Sequence, residues 1–139
     1  MTEICPCHSN DPYEACCFPY HSKEKVPQTS LELMRSRYSA YAKTLPDYII
    51  ETTHTKNEGY NANTFEWTQS ILEAYGQTEF KGLEILHHKD KADKGCVTFL
   101  AQLFEKGRNV SFQETSDFIR ENGRWYYLSG KKNESTEST

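Results

Sequence analysis

The sequence has few of the features that commit a chain to a membrane or to nucleic acid. It has no apolar run of the ~18 residues a membrane span needs, and Met1–Asn10 lacks the basic start and apolar stretch of an export signal. Basic residues are in deficit, 16 Lys and Arg against 20 Asp and Glu, so there is no electrostatic footprint for nucleic acid. Glycine-rich phosphate loops, a nucleophile elbow and an H-E-x-x-H pair are all missing. Cysteine is absent from most of the 139 residues, yet four of the five cysteines fall in the first 17. The expectation is a cytosolic protein, where thiols stay reduced and clustered cysteines bind metal more often than they pair.

What is present divides into three stretches. Residues 1–28 hold the cysteine cluster with Pro6, Pro12, Pro19 and Pro27 and read as loops and short turns. Residues 29–130 carry the periodic pattern of an α+β domain, and KKNESTEST at 131–139, with no apolar residue, reads as a disordered tail. In the middle stretch Ser30 can cap a helix whose stripe is Leu31, Met34, Tyr38 and Tyr41. A second helix starts at Pro46, and a third opens at Asn63, with Glu66 in capping-box spacing, and stops at Gly76. Phe65, Trp67, Ile71, Leu72 and Tyr75 are expected to bury that third helix.

Four strands follow, at Phe80–His88, Cys96–Phe104, Val110–Ile119 and Arg124–Ser129, with Asn122-Gly123 as the strongest hairpin signal. Short connections imply antiparallel pairing, with three helices packed on one face of a four-stranded sheet. Cys96–Phe104 is apolar on both faces, which suits a strand with one face lining a cavity.

Cys5-Pro6-Cys7 and Cys16-Cys17 flank an eight-residue loop. Four soft ligands closing a tetrahedron mark a structural zinc site. Pro6 favours the turn that bends C-x-C around one ion, and His8 or Asn10 can take the left-handed conformation such a turn needs. Adjacent Cys16 and Cys17 both reach the ion only if the backbone changes direction there. His21, four residues after Cys17, is the alternative ligand. Disulfides would need an oxidising compartment, and the C-x-x-C spacing of thiol oxidoreductases is missing.

CPCHSNDPYEACC resembles the SEC-C motif, the zinc-binding module also found at the C-terminus of the SecA translocation ATPase. The resemblance implies Cys5, Cys7, Cys16 and Cys17 as ligands. His8 and Asn10 replace glycines common in the motif, and Asp11, Pro12 and Glu14 replace its loop lysines, so a partner that reads positive charge should bind this loop weakly. With CCFPYH, LMRSRYSAYA and FIRENGRWYYLSG, the similarity widens to the YchJ family of bacterial proteins. It implies a zinc knuckle followed by a nuclear transport factor 2-like cone, and no particular reaction.

Three functions are open at this level. The leading one is an adaptor or binding protein, its partner an unidentified protein, with a small-molecule pocket or a homodimer face on the cone. Arg35, Tyr38, Trp67 and Trp125 are the pocket candidates, and Arg35 or Arg37 with Tyr38 could grip an anion. One of the two arginines is expected to pair with a carboxylate. The second is an enzyme with His54 as general base, aided by Asp47 or Glu114. The simpler assignments there are a helix-ending histidine and a sheet-edge ion pair for Glu114. The third is ribosome or nucleic-acid contact through Lys23, Lys25, Arg35 and Arg37, which the net charge opposes.

Overall fold

Thr29 ends an extended segment and turns the chain into its longest helix, because its hydroxyl accepts the Glu32 amide at 3.1 Å. The computed structural model describes residues 3–132, and in it this cap falls one residue before the Ser30 expected from sequence. Ser30 instead occupies the first helical position, where its amide and hydroxyl both bind the Asp90 carboxylate. That carboxylate sits against the positive end of the helix dipole.

Before that helix, the N-terminal segment makes a 3₁₀ turn at Tyr13–Ala15 and a short helix α1, Phe18–His21. Helices α2 (Ser30–Ala42), α3 (Pro46–Glu51) and α4 (Thr64–Tyr75) follow. The strands are β1 (Thr78–Lys91), β2 (Lys94–Glu105), β3 (Arg108–Asn109), β4 (Phe112–Glu121) and β5 (Arg124–Lys132). These strands pair antiparallel throughout, in the order β1-β2-β4-β5, with the two-residue β3 folded back on β2. The sheet thus has one more strand than the four expected. Lys131 and Lys132, assigned from sequence to the tail, pair with Thr115 and Glu114 at the end of β5. The remainder of that tail, 133–139, lies outside the described residues.

Register shifts bend the sheet. Irregularities at Phe80/Gly82 and Ile85/His87 insert a residue in β1, and Leu128 is the extra residue in β5 opposite Asp117/Phe118; each increases local twist, so the sheet curves around the helices. At the β4–β5 hairpin, Asn122 and Gly123 have φ of 53° and 79°, the two positive values a primed turn needs.

The core lies in the concavity. Val97, Phe99, Ala101 and Leu103 on β2 meet Leu33 and Met34 of α2, Ile49 of α3 and Phe118 of β4. Helix α4 closes the open side and is less buried than its sequence suggests. Ile71 is its single buried residue, and Phe65, expected inside, is 72% exposed.

Helix α2 has more than the single apolar stripe expected. Ser36 and Ser39 are fully buried on the face opposite Met34 and Tyr38, Ser39 against Cys5 and Ser36 against the Tyr48 hydroxyl of α3, with its carbonyl on His21. This helix is therefore the middle layer of the molecule.

Candidate functional site

The N-terminal segment builds its site from a miniature hairpin. Glu3 accepts the Tyr13 amide at 2.7 Å and Asp11 accepts the Cys5 amide at 2.9 Å, which places Cys5 and Cys7 at the hairpin's turn. His8 and Asn10 have φ of 65° and 74°, the left-handed values that let the chain curl back over Cys7. Cys16 leaves the 3₁₀ turn with φ −118° and ψ −88°, far from helical values, and this change of direction aims Cys16 and Cys17 at the same point.

The four sulfurs lie within 4.8 Å of one another, and Cys5, Cys7 and Cys17 are buried. Tetrahedral metal–thiolate bonds of about 2.3 Å imply sulfur–sulfur edges of about 3.8 Å. The Cys7–Cys16 and Cys16–Cys17 edges are 3.6 and 4.0 Å, on either side of that value. None of the cysteines is in a disulfide. As thiols, the set shares its protons unevenly. Contacts from Cys17 and Cys5 pull Cys7 far below the ordinary thiol range, while burial pushes Cys16 up to about 12. A dication suits such a cluster, since it stabilises all four sulfurs as thiolates together. Cys5, Cys7, Cys16 and Cys17 would fill all four positions of such an ion, so its role would be structural.

With a dication bound, four thiolates would exceed its charge by two, and the surroundings could offset the excess. Ser9 Oγ lies 3.2 Å from Cys16 Sγ, Ser39 Oγ lies 3.7 Å from Cys5 Sγ, and the Arg35 guanidinium lies 3.8 Å from Cys7 Sγ. Arg35 also donates to the Cys7 carbonyl at 3.0 Å. These groups orient the sulfurs and offset their charge. Ser9 and Ser39 were not among the residues expected from sequence: Ser39 is on a distant helix, and nothing in the loop pattern singles out Ser9 as a sulfur neighbour.

His21 is placed outside the cluster. Its Nε2 donates to the Ser36 carbonyl at 2.8 Å, and its Nδ1 lies 2.6 Å from the Tyr13 hydroxyl. Those two partners fix a neutral tautomer, and burial lowers its pKa below the ordinary 6.5. The ring therefore ties the knuckle to α2. Lys43 adds a second tie, with Glu3 at 2.8 Å and its ammonium 4.4 Å above the Tyr13 ring.

Across α2 the cone encloses a cavity of about 140 Å³. Tyr38, Arg37 and Glu114 line it; Arg35, Trp67 and Trp125 do not. Arg35, two positions before Arg37, points to the other side of the helix. Trp67 meets Tyr60 edge to face at 5.1 Å, and Trp125 donates to the Gln28 carbonyl at 3.2 Å, where the segment before α2 covers the far end of the cone.

Among the described residues neither arginine pairs with a carboxylate, contrary to expectation. Arg37 Nη1 instead donates to the Ile49 carbonyl and the Thr52 and Thr53 hydroxyls at 3.1, 2.7 and 3.1 Å, the groups at the end of α3. Glu114 forms no sheet-edge ion pair either; it accepts from Ser116 at 2.6 Å and Tyr127 at 3.2 Å.

His54 and Asp47 are not brought together. His54 is buried, but its Nε2 meets Glu121 at 2.9 Å and its Nδ1 accepts the Lys56 amide at 3.0 Å. Asp47 lies in a separate surface depression with Lys23 and Glu51. Lys23 is itself paired with Glu51 at 2.8 Å. His87 and His88 are exposed on β1, and Cys96 is half-buried on β2.

These features define a class: a SEC-C knuckle seated on an NTF2-like cone. The SEC-C motif matches residues 1–19, and the family described as "YchJ, middle NTF2-like domain" matches residues 29–130. The chain belongs to the YchJ family. It is 38% identical over 136 residues to a UPF0225 protein of Serratia proteamaculans, covering 95% of this chain and 85% of that protein. It is 36% identical over 134 residues to the UPF0225 protein YchJ of Shigella dysenteriae, with the same coverage. The solution structure of a SEC-C motif containing protein from Rhodopseudomonas palustris superposes with a TM-score of 0.78 at 29% identity, covering 96% of this chain and all of that one. Among the described residues no helix is long and apolar enough to cross a membrane.

Proposed function

We propose that the protein is a zinc-stabilised binding module, in which zinc folds the N-terminal knuckle and the knuckle presents a contact surface to another protein. The observation that carries this is the convergence of four sulfurs from two sides of one loop. An all-sulfur tetrahedron selects zinc or an iron–sulfur centre, and a single site of this kind fits one zinc ion. Such an ion contributes ~10 kcal/mol or more to a module too small to form a core of its own. A closed sphere leaves no coordination position for a substrate, which favours binding over metal catalysis.

The knuckle also holds apolar side chains in solvent. Ile4 is 58% exposed and Phe18 44% exposed, although the cysteines beneath them are buried. Exposed apolar groups on a rigid module suit a protein partner. The double substitution of Ile4→Asp and Phe18→Asp should leave one zinc per chain and abolish the protein associations that the parent makes in affinity capture. An unchanged set of partners, or a parent protein without zinc, would contradict this assignment.

A further inference from the structure

We propose that the cone cavity binds a small carboxylic acid that also carries a hydroxyl or amino group. The site is separate from the knuckle and its metal.

The first observation is a buried charge with unused donors. Arg37 is 7% exposed, and its Nη1 alone is engaged with the end of α3. Its guanidinium carbon lies 4.5 Å above the centre of the Tyr127 ring. Among the described residues its Nη2 and Nε meet no acceptor, and no carboxylate comes within 4.0 Å of it. Among the described residues no buried side-chain nitrogen or oxygen is without a partner, so these two atoms keep some accessible surface, and Arg37 lines the cavity. A buried guanidinium without a counter-ion is costly, and its free edge is the fork that grips a carboxylate through two parallel bonds.

The second observation is an acceptor in the same space. Glu114 Oε2 takes the Ser116 and Tyr127 hydroxyls, while Oε1 has no donor among the described residues. Tyr127 thus links the two groups, its face under Arg37 and its hydroxyl on Glu114. A plain anion satisfies Arg37 and leaves a carboxylate facing it across the cavity. A cation does the reverse. A ligand with an acidic end and a hydrogen-donating end satisfies both.

The walls set the size and the body of that ligand. Phe80, Phe99, Phe112 and Tyr75 surround a volume of about 140 Å³, close to the ~150 Å³ that admits a benzene ring. Such walls favour an apolar or aromatic body over inorganic phosphate.

The probe is 4-hydroxybenzoate, titrated into the isotope-labelled full-length protein by NMR, with benzoate (acid without the donor) and phenol (donor without the acid) as comparators. Saturable shifts are expected at Ala101, Glu114 and Tyr127, with benzoate binding about tenfold more weakly, the loss of one charge-assisted hydrogen bond, and phenol weaker still, because it loses both bonds of the fork. Arg37→Lys keeps a charge but loses the fork and should weaken binding by a similar factor. Because Arg37 also holds α3, two further variants are needed. Glu114→Gln should weaken 4-hydroxybenzoate and leave benzoate unchanged or improved, and Ala101→Leu should block the cavity to all three compounds. The proposal is overturned if 4-hydroxybenzoate gives no saturable shift. It is equally overturned if phenol matches it, or if Ala101→Leu binds as tightly as the parent.

Discussion

A single histidine shows how residue chemistry is set by what packs on it. His21 has the sequence position of a metal ligand, yet both ring nitrogens serve the joint between knuckle and helix. Because burial lowers its pKa, the unfolded chain binds a proton more tightly than the folded one. Stability from this group is therefore complete above 6.5 and declines as the pH falls from 6.5 toward the depressed folded value. Denaturant unfolding on either side of that pH should show a drop for the parent that is smaller in His21→Gln. An equal drop in both would assign the acid sensitivity elsewhere. The convergence of the four cysteines was legible because a C-x-C and a C-C pair have few other uses, and so were His8 and Asn10, whose positive φ a tight turn demands. Arg35 was not legible as a neighbour of sulfur. Two arginines two positions apart look alike in sequence, and only packing on both faces of their helix decides which meets the knuckle and which the cavity.

At the scale of elements, α2 is central, since one face lines the cone and the other seats the knuckle. Its cap at Thr29 should contribute about 1 kcal/mol, measured as the loss in unfolding free energy for Thr29→Ala. Leu33 is fully buried at its centre, and Leu33→Ala should cost about 2–5 kcal/mol, the loss expected for a large core side chain replaced without full collapse. A cost below 1 kcal/mol would mean the core there is looser than the structure indicates. On β5, Gly130 lies so close to the Glu114 carboxylate and the Tyr127 hydroxyl that an added methyl group would overlap both. Gly130→Ala should thus displace that pair, read as altered Tyr127 resonances, while the fold survives. Helix α3, the Asn63 cap and the Asn122-Gly123 turn were all legible, being local signals. The exposure of Phe65 and the short β3 were not, because each depends on where distant segments end in the folded sheet.

For the molecule as a whole, the knuckle and the cone are two folding units joined mainly through α2, with smaller contacts to Tyr48 of α3 and Phe80 of β1. The cone has its own apolar core, whereas the knuckle's buried residues are three of its cysteines and Tyr13. Removing metal with a chelator should therefore unfold residues 3–21 and leave the sheet intact, seen as lost amide protection confined to that segment. Loss of protection throughout the sheet would show that the cone cannot stand without its N-terminal layer. The central claim, four sulfurs on one zinc ion, is tested most directly by X-ray absorption at the zinc edge of the purified protein. The account predicts a shell of four sulfur atoms at about 2.3 Å; a shell containing nitrogen at about 2.0 Å, or no bound zinc at all, would contradict it.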